Sequence, residues 1–156
     1  MKQQKEERTE AAATEQKQPR IGKLRQDHAL GQAGVYRVSS EILLRGMPTW
    51  FPSPDLGSDL MTGDGKRVQI KAARLRPQDG CDFYFFGLAK GRKRTAVDRR
   101  DFFVLWGSDE NRFWNIPSDQ LAGRKSRAIP SRRENVRTRK FDKWESAWEP
   151  ICRSQG

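Results

Sequence analysis

GSDLMTGDGKRVQIKAARL, residues 57–75, is the stretch on which the reading of this chain turns. Within RVQIKAARL apolar and polar side chains alternate, the period of a strand with one buried face. Val68 and Ile70 therefore face a core, and Gln69 and Lys71 project together from the opposite face. TGDG at residues 62–65 is a hairpin turn signal, so a strand at Asp59–Met61 is expected to fold back along Arg67–Lys71. A carboxylate from Asp59, an amide oxygen from Gln69 and an ammonium from Lys71 then converge at one sheet edge. Such a group can hold a divalent cation, position water for attack on a phosphodiester and offset charge growing on the phosphate. The plain alternative is a hairpin with polar residues on its wet face.

Upstream, GQAGVYRVSSEILLRG at residues 31–46 places Val35, Val38 and Ile42 at i, i+3 and i+7, one face of a helix that Gly46 stops. MPTWFPSPDLGSD follows with three prolines and reads as a short strand at Trp50 and then a turn. Asp55 precedes the decisive strand and fits a turn cap, with a reserve role as ligand if the register differs. Toward the C-terminus, DFYFFGL at 82–88, FFVLW at 102–106 and RFWNIPS at 112–118 are aromatic and β-branched runs that read as strands. Their aromatic rings are expected in the core. KGRKR at 90–94 reads as a basic loop. In FDKWESAWEPI, residues 141–151, Phe141, Trp144 and Trp148 fall at helical spacing, so a short amphipathic helix docked on the core is expected.

The chain has 156 residues, a formal net charge of +11, a pI near 10.2, a mean hydropathy of −0.92 and a 35% hydrophobic share that includes 8 Phe and 5 Trp. One globular domain with polar ends is the most this supports. Residues 1–27, which lack any aromatic residue, read as a disordered polar tail; 28–122 as the folded core; and 123–156 as a basic linker with the C-terminal amphipathic helix. Residues 1–27, 28–120 and 121–156 carry net charges of +2, +3 and +6, a field that favours a polyanionic partner such as nucleic acid. No window approaches the ~20 apolar residues of a membrane span and no secretory signal is present, so a cytoplasmic protein is expected. Cys81 and Cys152 sit in no CxxC pair and read as free thiols. One histidine, His28, is too few for a multi-histidine metal site and a poor basis for a hydrolytic triad.

The order helix, GSDLMTGDGKRVQIKAARL, aromatic strand, VDRRDFFVLW and FWNIPS resembles the PD-(D/E)XK nuclease superfamily, and within it the intron-homing endonucleases and archaeal Holliday-junction resolvases, over roughly residues 30–120. The resemblance implies an α/β fold with a three-layer, restriction-endonuclease-like core, in which a mixed central sheet is flanked by helices. It implies hydrolysis of DNA phosphodiesters with Mg²⁺ or Mn²⁺, often by a homodimer. By the same resemblance Asp59 is the metal-binding aspartate, Gln69 stands at the D/E position, Lys71 is the catalytic lysine, and the main-chain carbonyl of Ile70 is a further ligand. Similar proteins begin the helix with Gly-Glu and use that glutamate in the site; here the pair is Gly34 and Val35. Glu41, four residues from both Arg37 and Arg45, reads as part of an ion-pair ladder instead. Lys90, Arg92, Lys93, Arg94, Arg99 and Arg100 flank the proposed site and are expected to contact phosphates, with a second basic stretch at Arg124 to Lys140. The competing readings are a catalytically degenerate nuclease fold that binds DNA or RNA without cutting, and an RNA-binding protein of unrelated fold.

Overall fold

Helix α1 spans Gln26–Leu44, and the strands follow as β1 Thr49–Trp50, β2 Leu60–Thr62, β3 Arg67–Ala73, β4 Leu75–Gln78, β5 Cys81–Gly87, β6 Phe102–Gly107, β7 Arg112–Pro117 and β8 Ser126–Pro130. Two one-turn helices close the chain, α2 Arg139–Asp142 and α3 Glu149–Cys152. This computed structural model describes residues 26–88, 100–134 and 139–154. The expected tail at 1–27 falls almost wholly outside them, as do Lys90, Arg92, Lys93, Arg94 and Arg99 of the expected basic surface.

A mixed five-stranded sheet runs in the order β1-β2-β3-β6-β7, with β3 and β6 parallel and the other pairs antiparallel. The period of two along β3 works as the alternation predicts. Val68 and Ile70 join an apolar cluster with Val38 and Ile42 of α1, while Ala73 faces the other way into a second cluster. Gly34 lets α1 come close: a Cβ there would lie 3.1 Å from the Ala72 Cβ and 3.2 Å from the Trp106 ring. Val35 packs at the margin of that same apolar layer.

The other face of the sheet carries Phe103, Leu105, Trp114 and Ile116, packed against Tyr84, Phe86 and Ile129. Each such side chain contributes about 1.5–3 kcal/mol by leaving water. Their partners belong to a three-stranded sheet ordered β4-β5-β8. Helices were expected on both faces; among the described residues α1 covers one, and strands cover most of the other. The hairpin β4–β5 turns at Asp79 and Gly80, both at positive φ, between the paired residues Gln78 and Cys81. Asp-Gly is a strong hairpin signal. β4 carries Pro77, which a strand tolerates at a sheet edge, where β4 lies.

The C-terminal segment departs from expectation in two ways. Residues 126–130, read as basic linker, form β8. The single helix over 141–151 is replaced by α2 and α3, because the segment between them crosses the edge of the sheet. Asn115 N–H of β7 donates to the Trp144 carbonyl at 2.9 Å, and Ser146 N–H donates to the Phe113 carbonyl at 2.8 Å. These bonds occupy backbone groups that an edge strand leaves open. Phe141 thereby reaches the cluster on one face and Trp148 the cluster on the other, which one helical stripe cannot do.

Arg112 fastens this wrap. Its buried guanidinium donates to both carboxylate oxygens of Glu145 at 2.9 Å, donates to the Pro130 carbonyl at 3.0 Å and lies 4.6 Å over the Trp114 ring. The Arg112 hydrogen bonds, with help from Arg132 and against the upward push of burial, hold the Glu145 carboxyl below the usual glutamate range. A carboxyl lowered in the fold contributes stability above its unfolded value and loses it as pH falls through the folded value. Glu145→Gln should therefore be less stable than the wild type at neutral pH by about 1–3 kcal/mol. The gap should close as pH falls below about 4.3. Urea unfolding across pH measures it, and a gap that stays constant into acid would contradict this role for Glu145.

Candidate active site

β2 and β3 pair only as far as Leu60 opposite Val68, with the Asp59 N–H donating to the Val68 carbonyl at 3.0 Å. Beyond that point the strands fork, and the Asp59 side chain takes the place a partner strand would fill. Its Oδ2 accepts the Ile70 N–H at 2.7 Å. The same oxygen accepts a short hydrogen bond from Gln69 Nε2. Because the N–H and C=O of one strand residue project to the same side, the Ile70 carbonyl also faces this gap.

Asp59 and Gln69 thus meet, as the hairpin reading required. Gln69 is buried, at 7% exposure, and its bond to Asp59 fixes the amide with Oε1 as the oxygen left over. Lys71 stands two residues on along β3, half-buried and on the same face as Gln69 by the strand period. Across the parallel ladder, Gln69 and Lys71 lie beside Phe103 and Leu105 of β6.

Arg100, alone of the six expected phosphate contacts, lies among the described residues, and it reaches this corner. Its Nε donates to the Gly57 carbonyl at 3.0 Å, two residues before Asp59, and its guanidinium carbon lies 5.7 Å from the centre of the Phe103 ring. Sequence reasoning grouped Arg100 with a loop; the spacing RDFF, which sets it three residues before the strand residue beside Gln69, was the available signal.

Val35 leaves no carboxylate at the helix position where the resemblance leads one to expect glutamate. Glu41 does not replace it. Arg37 and Arg45 each pair with Glu41 at 2.6 Å, one turn away on either side. Burial raises the Glu41 carboxyl, but the Arg45 hydrogen bond and the Arg37 charge outweigh it and hold the group below its usual range. Asp55 lies in a one-turn 3-10 helix, Pro54–Leu56, ahead of the fork. No cluster of three His, Cys, Asp or Glu that could hold a metal ion occurs among the described residues. Cys81 and Cys152 are free thiols. A groove of about 680 Å³ lined by Lys66, Asp101, Phe102, Glu149 and Arg153 opens elsewhere and includes none of Asp59, Gln69 and Lys71.

The site therefore offers one carboxylate, one amide oxygen and one main-chain carbonyl in a gap between strands, with a lysine on the same face and an arginine at the rim. These donors are hard oxygens, suited to Mg²⁺, Mn²⁺ or Ca²⁺ rather than to a soft cation. With one formal negative charge among them, they would hold such an ion weakly until a phosphate oxygen and water completed its shell.

No helix of the described residues is long and apolar enough to cross a membrane. No protein-family model matches the chain, and no curated protein matches it in sequence. Among solved structures, a bacterial homing endonuclease, I-Ssp6803I, superposes with a TM-score of 0.64 at 20% sequence identity, covering 79% of this chain and 88% of that one. The α/β fold of this chain, with its mixed sheet and few helices, is shared with that endonuclease.

Proposed function

We propose that this chain is a metal-dependent endonuclease of the PD-(D/E)XK kind, built on a three-layer restriction-endonuclease-like core and hydrolysing DNA phosphodiester bonds. The observation that carries the reading is the fork at Asp59, where a carboxylate, a fixed amide and an open main-chain carbonyl face one gap on a fold shared with a homing endonuclease. Asp59, Gln69 Oε1 and the Ile70 carbonyl would hold Mg²⁺ or Mn²⁺. The bound ion supplies an acidified water and neutralises phosphate charge. Asp59 is held in place by two donors, so its free oxygen is pre-aimed at the gap. Lys71 offers its ammonium to a non-bridging phosphate oxygen as charge grows there. Arg100 and the basic residues Lys90, Arg92, Lys93, Arg94 and Arg99 contact phosphates on either side of the cut.

Nicking of supercoiled plasmid tests the reading. Cutting should require Mg²⁺ or Mn²⁺ and cease in chelator. It should fall at least about 10²-fold in Lys71→Ala and in Asp59→Asn, which keeps an acceptor for the Ile70 N–H but loses the charge. A second reading, the same fold retained as a DNA- or RNA-binding module, is favoured by one observation: Val35 packs into the apolar layer where a glutamate would serve the site. A wild type that shifts DNA but cuts no linear, branched or single-stranded substrate would replace the enzyme with that module.

The chain would act as a homodimer. Tyr36, Leu43 and Leu44 of α1 are exposed, as are Trp50 and Phe51, and the Tyr36 ring meets the Phe51 ring edge-on at 5.6 Å, which leaves apolar surface on a chain of net charge +11. A like-charged second copy approaches most easily there. Sedimentation equilibrium should give a dimer that Leu44→Lys dissociates; a monomeric wild type at micromolar concentration would contradict it.

A further inference from the structure

Arg127 lies on β8 directly opposite Phe86 of β5, and since Tyr84 and Phe86 point inward from the small sheet, Arg127 does too. Its guanidinium carbon rests 3.7 Å from the centre of the Phe141 ring. That stack fixes the plane of the group on a residue that is half-buried. Arg127 Nε is buried without a hydrogen-bond partner, and no carboxylate acts on the charge of the side chain among the described residues. Its charged neighbour is Arg124, of the same sign; burial first and Arg124 second pull its pKa below the usual arginine value.

A buried donor left unmet is costly, and a second positive charge beside it adds to that. Arg112 shows the contrasting case on the same domain, a buried guanidinium met by two carboxylates and a carbonyl. Arg127 is posed by its stack but unmet. The backbone joins it to further basic residues: Leu88 N–H donates to the Lys125 carbonyl at 2.9 Å, and the chain runs on from Leu88 into the sequence AKGRKR.

We propose that Arg127, with Arg124 beside it, binds a backbone phosphate of nucleic acid at a site separate from Asp59, Gln69 and Lys71. The proposal rests on the nucleic-acid part of the function above and deepens it. Gln69 and Lys71 face away from α1, and Arg127 belongs to the sheet that packs against that same face. A phosphodiester chain engaged at the fork would then have a second anchor, one that reads charge and carries no base preference.

The test is fluorescence anisotropy of a labelled DNA duplex over a salt series in chelator, so that binding is read without cleavage. Arg127→Met keeps an apolar stem on Phe141 and removes the charge; Arg124→Gln alters an exposed residue and leaves the core alone. Each should weaken binding several-fold and reduce the slope of log affinity against log salt by about one. Arg153→Gln, an exposed arginine paired with Glu149 on α3, should leave the slope unchanged. Thermal unfolding of each variant confirms the fold. An unaltered slope in folded Arg127→Met and Arg124→Gln would make Arg127 a packing residue and overturn the site, as would an equal loss in Arg153→Gln or failure of the wild type to bind duplex at low salt. Binding with these slopes by a protein that never cuts would sink the nuclease reading and leave this one standing.

Discussion

A period of two along β3 is the constraint on which the rest of the molecule depends. It sends Val68 and Ile70 under α1 and turns Gln69 and Lys71 to the other side, so one strand serves the core and the site at once. A slip of one residue would bury Lys71 beneath the helix and turn Ile70 to the face that now carries Gln69. The register is pinned at both edges of β3, by six paired positions with β6 and by the Asp59 carboxylate, which accepts the Ile70 N–H beyond the last paired position with β2. Asp59 is therefore structural, and on the proposed function the bond that finishes the strand pair also holds the carboxylate where a cation and a phosphate would meet.

The rest of the fold closes the sheet around that strand. The parallel step from β3 to β6 passes through the hairpin β4–β5, which, with β8, covers the face opposite α1. Gly107 shows how tightly the two sheets are seated, since a Cβ there would come within 2.7 Å of the Tyr84 ring. At the far edge the C-terminal segment wraps β7 and supplies Phe141 to one cluster and Trp148 to the other, clasped by Arg112 and Glu145. Two guanidiniums at the margins of this packing behave oppositely. Arg112 is met by two carboxylates and a carbonyl and serves stability; Arg127 is stacked on a ring with its Nε unmet.

Local periodicity carried much of this in the sequence. The helix through Val38 and Ile42, the TGDG hairpin, the alternation of RVQIKAA and the strands at Phe102 and Arg112 were each legible because their signals lie within a few residues. The pairing of Asp59 with Gln69 was legible because a tight turn fixes which residues face each other. What escaped depends on distant partners. β8 has little apolar content of its own and becomes a strand by pairing with β5. The Phe141, Trp144 and Trp148 spacing was helical by count, yet those residues divide between two faces because an edge strand needed hydrogen-bond partners. The Arg112 to Glu145 clasp spans 33 positions and leaves no local trace.

We propose the Asp59 carboxylate to be a cation ligand as well as a strand cap. Electron paramagnetic resonance of Mn²⁺ with the protein and a DNA duplex tests it directly, in a Lys71→Ala background so that the duplex survives. Mn²⁺ should bind in the presence of duplex, and adding Asp59→Asn should weaken that binding at least about tenfold while the fold persists. Equal Mn²⁺ affinity with and without the Asp59 charge would show that the carboxylate only caps β3, and that the site cannot work as described.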